Sequence, residues 1–402
     1  MNSLKSSALV DLAIHLDWEK HGISHRDTFY ADQLNCWRDA VFPKSPFTGL
    51  IEEAGKGNPG KVHARPGELV PEHRDDLVFD LDASRLAPEL PFERLQEGRF
   101  YPRGMITGMT GVFRANMTPF RCIRIEGNRF TADFNHPLAG LELTLETEPG
   151  EYARKPEERG GHCTDWMELV LSGPGMQARY DGEATAFFSG RPFRRRDETP
   201  DPDFYLSDRF VHHIDRTASR NLSGVYGSIL RPGDRVLDLM ASWESHLPCN
   251  GDDPDVHGIG LNKNELAANP ALSGYTVQDL NTDTTLHFSD RSFDLVICSL
   301  SVEYLTQPVR IFREAARVLK PGGTFAAAFS NRWFPEKAIR IWEDLHDFER
   351  MGLVTEYVLE SGSFETVSTV SIRGYPRPED DRYYPKFRLS DPVYAVTAQT
   401  FE

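Results

Sequence analysis

Hydrophobic and polar positions fall into two regimes along the chain. From residue 235 onward, short apolar runs alternate with amphipathic stretches. Residues 235–239 (RVLDL) follow the polar break Arg231-Pro232-Gly233-Asp234 and read as a buried strand ending in a turn of small and polar residues. Residues 256–261 (VHGIGL) predict a second strand. Asn262 caps the next helix, with Glu265 three residues on to complete a capping box. Residues 275–278 and the run 292–300 (SFDLVICSL), apolar on both faces, continue the sheet. Pro308 opens a helix whose Val309, Phe312, Ala315, Ala316 and Leu319 recur at helical spacing; Lys320-Pro321-Gly322-Gly323 stops it and 324–329 is the fifth strand. Upstream, Leu222, Val225, Tyr226 and Ile229 predict a helix over 221–230 facing the sheet. Downstream, 336–348 and 349–360 are helical by period, and 363–374 with 394–399 should form an antiparallel hairpin closing one edge. This rhythm implies an α/β class with a doubly wound, mainly parallel sheet and right-handed crossovers.

The amino half reads differently. Leu9, Leu12, Ala13 and Leu16 fit one face of a helix over 7–16. Residues 27–42, with Phe29, Tyr30, Leu34, Trp37 and Val41, suggest another helix, or a helix and a turn, and 51–60 a loop. Short alternating segments at 77–81, 111–115, 120–125, 129–134 and 141–146 predict a small antiparallel sheet, with a hairpin turning at Gly127-Asn128. Residues 150–203 connect the halves, and Trp166, Met167, Leu169 and Val170 should pack against the carboxyl half. The domains expected are a helical extension (1–60), a β-rich domain (61–149), a connecting segment (150–203) and an α/β domain (204–402).

Composition narrows the function. The chain has 402 residues, 39% hydrophobic and 26% charged, as in ordinary globular proteins. Its formal charge of −16 argues against a nucleic-acid partner, which wants a basic surface. Arg191-Pro192-Phe193-Arg194-Arg195-Arg196 is the one basic run, and it reads as a solvated linker followed by acids. The 5 cysteines (Cys36, Cys122, Cys163, Cys249, Cys298) are scattered without a CxxC pair, which fits free thiols in a reducing compartment. The start is too short and too acidic in its apolar stretch for a signal sequence, and no run approaches a membrane span. A cytoplasmic protein without a membrane partner is expected. His162 with Cys163 could be a thiol–imidazole pair or a soft-metal site, but no third ligand has metal spacing, so no metal is assigned.

VLDL at 236–239, VQDL at 277–280, FDLVICSLSVEYL at 293–305 and RVLKPGG at 317–323, in that order, resemble class I S-adenosylmethionine-dependent methyltransferases of the type 11 group. The resemblance spans roughly 204–400 and implies a Rossmann-like sheet of seven strands with S-adenosylmethionine as cofactor. It places Asp238 at the methionine ammonium, Asp279 and Leu280 around the adenine beside Gln278, and Ser299 and Leu300 beneath the sulfonium. Glu303, Tyr304 and Asn331 become candidates for substrate orientation or proton transfer, and Asn331 with Arg332 could bind an anionic group. His212, His213 and Asp215 could touch substrate or be half-exposed structural residues. The family's first loop is normally glycine-rich, because glycine lets backbone approach the cofactor. Here Met240, Ser242 and Glu244 take those positions, with Trp243 between, and the acid that usually grips the ribose would fall at Gly260. Either Ser242, Asn262 and Asn264 replace the missing contacts, or the site has decayed.

Residues 109–148, above all FTADFNHPLAGLELTLETEP, look like the later part of bacterial FKBP-type prolyl isomerases with a domain inserted in the flap; Asn135–Gly140 reproduces the family's hexapeptide turn. Two functions stand side by side. One is a methyltransferase acting on a small molecule, or on a protein side chain, with an FKBP-like accessory domain. The other is an FKBP-type binding or isomerase module fused to a non-catalytic methyltransferase-like domain.

Overall fold

A computed structural model describes residues 8–35, 46–154, 164–248 and 254–402. Cys36, Trp37, Val41, His162, Cys163 and Cys249 lie outside the described residues, whereas Cys122 and Cys298 are buried free thiols.

The strands in chain order are β1 (Ala8–Lys20), β2 (Ile23–Asn35), β3 (Gly60–Ala64), β4 (Val78–Asp82), β5 (Phe100–Pro102), β6 (Pro119–Glu126), β7 (Arg129–Asp133) and β8 (Leu143–Arg154). They continue with β9 (Arg235–Leu239), β10 (Asp255–Gly260), β11 (Gly274–Val277), β12 (Phe293–Ser299), β13 (Leu319–Phe329), β14 (Phe364–Arg373) and β15 (Val393–Thr400). One sheet of 11 strands runs β11-β10-β9-β12-β13-β15-β14-β2-β1-β8-β3, and a second of 4 runs β4-β7-β6-β5.

The carboxyl half matches its pattern. β9 to β13 are parallel, and β15 runs antiparallel to both β13 and β14. Side chains on a strand alternate between faces. Leu295 and Ile297 of β12 therefore pack under the helix Arg216–Ile229, while Val296 and Cys298 meet the helices Pro308–Val318 and Asp347–Ser361 on the other face. Asp215 caps the first of these helices by accepting from the Thr217 and Ala218 amides, so the helix starts five residues earlier than the apolar spacing marks. Residues 336–348 form only the short helix Arg340–Asp344 and the start of the next. The seven-stranded expectation understates the sheet. β14 is not an edge, because it pairs in parallel with β2 over seven positions, Val367–Ile23 to Arg373–Phe29.

The amino half overturns the helical reading of 1–60. Residues 8–20 and 23–35 form a long antiparallel hairpin. Val10, Leu12, Ile14, Leu16 and Trp18 are all buried, a period of two that the helical subset Leu9, Leu12, Ala13, Leu16 conceals. The expected loop at 51–60 begins inside the helix Thr48–Ala54, which buries Leu50, Ile51 and Ala54 against this sheet. The β6–β7 hairpin turns at Gly127, with φ 57°, as the pattern requires. Residues 111–115 are not a strand; they form turns. The helix Trp166–Leu171 packs on the core of β1, β2 and β8, with Trp166 edge-on to Phe29, and leaves Leu169 exposed. That contradicts the expected burial against the carboxyl half. The basic run is not solvated throughout: Arg195 is buried in a two-pronged ion pair with Asp201 at 2.7 and 2.8 Å.

Candidate active site

Between β9 and β12 the strand order reverses, and a ligand crevice is expected outside the carboxyl ends of the strands at such a point. A cavity of about 300 Å³ opens there. Its floor comes from strand ends: Asp238 and Met240 to Ser242 after β9, Gly260 to Asn262 after β10, Gln278 to Leu280 after β11, Ser299 and Leu300 after β12. Tyr304, Arg332, Trp333 and Phe334 line the side beyond β12.

Asp238 is buried, its Oδ2 has no hydrogen-bond partner, and burial pushes its pKa up to about 7 against a smaller opposing hydrogen bond from Ser245. An orphaned buried carboxylate oxygen on a cavity wall suits a cationic ligand. Asp279 is held by the Asn281 amide (2.9 Å) and the Thr282 hydroxyl (2.7 Å). Ser299 shares a 2.7 Å hydrogen bond with Tyr226.

The glycine-free turn keeps a glycine-like path. Met240 and His246 both take φ 56°, and Leu300 takes φ 52°. The Trp243 indole turns away, donating to the Val211 carbonyl (3.2 Å) and meeting the rings of His212 and Phe210. It does not line the cavity, which corrects its place among the cofactor contacts, and it leaves the space open. Gly260 has a steric reason: a Cβ there would lie 2.1 Å from the Ala241 carbonyl oxygen. No acid fits that position.

Asn262 caps the helix Lys263–Ala268 as expected, but Glu265 does not complete the box. Its carboxylate accepts from Ser242 Oγ (2.5 Å) and the Arg209 amide (2.7 Å), on the cavity wall. The Asn262 amide donates to the Tyr205 carbonyl (3.1 Å) and Asp208 (2.9 Å), and Asn264 also donates to Asp208. Both asparagines thus tie down segment 204–214, which covers the cavity with Tyr205, Arg209, Val211, His212 and His213. Burial lowers the His213 pKa. Asp215 instead pairs with Arg377 and accepts from Ser390, away from the cavity.

Two further expectations are corrected. Glu303 is fully buried beside the cavity lining but not in it; both carboxylate oxygens lack partners and burial raises its pKa to about 8. It and Tyr304 share the short turn Val302–Tyr304, and only Tyr304 reaches the cavity. The Tyr304 hydroxyl accepts from the Phe334 amide at 2.9 Å. Asn331 is exposed and does not line the cavity, whereas the next residue, Arg332, does. Sequence reasoning missed Glu265 as a lining acid, the lid residues Tyr205 and Arg209, and Arg382 and Tyr383 from the loop 374–392. Glu265 had a signal, since its first-turn position beside Gly260 was already marked; the loop had none.

The family model and the curated relatives agree with the geometry. A methyltransferase-domain family model matches residues 246–327. A ubiquinone/menaquinone biosynthesis C-methyltransferase of Laribacter hongkongensis is 26% identical over 178 residues, 41% of this chain and 68% of that protein. Its counterpart in Chromobacterium violaceum is 24% identical over 181 residues, 42% and 70% of the respective chains. A solved S-adenosylmethionine-dependent methyltransferase of Aquifex aeolicus is also similar, at 16% identity with TM-score 0.33, covering 50% of this chain and 99% of that one. Residues 246–327 of this chain thus match a methyltransferase-domain family, and S-adenosylmethionine is the cofactor that this match implies.

Proposed function

We propose that the protein transfers a methyl group to a small-molecule acceptor, in the cytoplasm, without a nucleic-acid or membrane partner. One observation carries this reading: the unpartnered, buried Asp238 carboxylate at the switch point of an open α/β sheet. The residues present fit the cofactor. Asp238 would accept from its ammonium, Asp279 and Leu280 would flank its adenine, with Gln278 alongside, and Ser299 and Leu300 would lie beneath the reacting centre. Because Gly260 excludes an acid, Glu265 is the carboxylate left to accept from the ribose, steadied by Ser242.

The cofactor supplies a methyl already activated on a sulfonium, so the chain's work is mostly positioning. Tyr304 stays a neutral phenol, since burial holds its pKa well above the usual value, and it orients by donating. His213, kept neutral by burial on the lid, is placed to take a proton when the acceptor must lose one. No helix among the described residues is long and apolar enough to cross a membrane. Calorimetry with S-adenosylhomocysteine tests the proposal. One molecule should bind per chain, and Asp238→Ala should weaken it about 30-fold or more, as when one side of a buried charge pair is truncated. A wild-type protein that does not bind it refutes the reading.

For the amino half we propose an FKBP-type accessory module. Supporting this is the chain order: two strands, a helix and a strand, then the four-stranded sheet β4–β7 as an insert, then the Asn135–Gly140 turn into β8, which pairs with β1 and β3. Acceleration of a proline-limited refolding reaction by the full chain would test whether it isomerises.

A further inference from the structure

The cavity is electrically divided by the strand order. Four of its five acids, Asp238, Glu244, Glu265 and Asp279, belong to the ends of β9, β10 and β11 or the segments that follow them; the fifth, Asp201, is already paired with Arg195. On the opposite side of β12 stand Arg332, after β13, and Arg382, in the loop joining β14 to β15. Neither guanidinium pairs with a carboxylate among the described residues; each lies on a face of the Tyr383 ring, 4.3 Å and 4.6 Å from its centroid. Buried arginines nearby are neutralised: Arg195 by Asp201, Arg350 by Asp347 and Arg377 by Asp391. Arg209 on the lid has a buried Nη1 with no acceptor. In a chain of formal charge −16, guanidiniums left unpaired at a cavity suit an anion supplied from outside.

The walls on that side are flat and aromatic: Tyr205, Tyr304, Trp333, Phe334 and Tyr383. Asp380 and Asp381 adjoin Arg382 at the outer mouth, which disfavours a dianion. Resting on the methyltransferase reading above, we propose that the acceptor is a planar carboxylate. Arg332 and Arg382 bracket its carboxylate, and its ring lies along the Trp333, Phe334 and Tyr383 wall. The two arginines are specificity-determining residues that position the acceptor.

The test is calorimetry of benzoate against its neutral isostere benzamide, titrated into full-length protein saturated with S-adenosylhomocysteine. Benzoate should bind at least about tenfold more tightly than benzamide. Arg332→Gln and Arg382→Gln should each weaken benzoate about tenfold, and the double variant should abolish its binding, while S-adenosylhomocysteine affinity stays within about twofold. Arg382 is exposed and Arg332 half-buried, and a melting curve checks that both variants fold. Benzoate binding no more tightly than benzamide, surviving the double variant, or yielding to inorganic phosphate as the tighter ligand overturns the proposal. Failure of S-adenosylhomocysteine to bind wild type would instead strike the cofactor reading.

Discussion

On the proposed reading, Asp238 serves the ligand at the expense of the fold. Burial lifts its pKa from 3.8 to about 7, a difference worth on the order of 4 kcal/mol. A carboxyl whose folded pKa exceeds its unfolded one destabilises the fold increasingly as pH climbs from 4 to 7, about those two values, and the cost is constant above them. A bound ammonium needs the ionised form. The affinity for S-adenosylhomocysteine should therefore be flat above pH about 7 and fall below it, approaching tenfold per pH unit. Asp238→Asn should bind weakly and without that slope, and calorimetry at pH 6, 7 and 8 distinguishes the two. Asp238 was legible because an acid at the end of an apolar strand has one place to point. Glu303 was not: adjacency to Tyr304 in the chain said nothing about which of two neighbours on one tight turn lines the cavity. Arg382 and Tyr383 reach the cavity from a polar loop that carries no local mark of its destination.

At the scale of elements, the turn after β9 replaces glycines by adopting their backbone. Met240 and His246 hold left-handed conformations that cost a residue with a Cβ roughly 1–2 kcal/mol each. The close approach moves elsewhere, to Gly260 at the end of β10, where the Ala241 carbonyl leaves no room for a side chain. Gly260→Ala must displace that turn. It should destabilise the fold by about 1–3 kcal/mol and cut S-adenosylhomocysteine affinity by more than the destabilisation explains, as read from urea unfolding and calorimetry together. Unchanged affinity would mean the turn does not frame the cofactor. Strands buried on both faces, such as β12, announce themselves in sequence as unbroken apolar runs. β1 did not, because its inner positions, read with Ala13, also satisfy a helical spacing. Its partners β2 and β8 decide the matter, and β8 lies more than a hundred residues away.

The whole molecule is joined through one sheet. β14 would be an exposed edge in a seven-stranded sheet, an invitation to unwanted pairing, but β2 covers it. The edges that remain are short: β11 has 4 residues and β3 has 5. Buried polar bonds fix the register of the seam. Asp27 accepts from Ser371 Oγ (2.6 Å) across it and from Trp18 Nε1 (2.9 Å) behind it, and His25 Nδ1 meets Thr369 Oγ1 at 2.7 Å. Away from the sheet, Glu349 accepts from the Phe100 amide (3.0 Å) and Arg179 pairs with Glu356. Halves bonded this way should unfold together. Urea denaturation of the full chain, followed in parallel by tryptophan fluorescence and by far-ultraviolet circular dichroism, should give coincident single transitions. Asp27→Ala strands two buried donors and should lower stability by about 1–3 kcal/mol, shifting both curves alike. Two resolved transitions in the wild type, or a shift confined to one probe, would show that the seam joins the halves in space without coupling their stability.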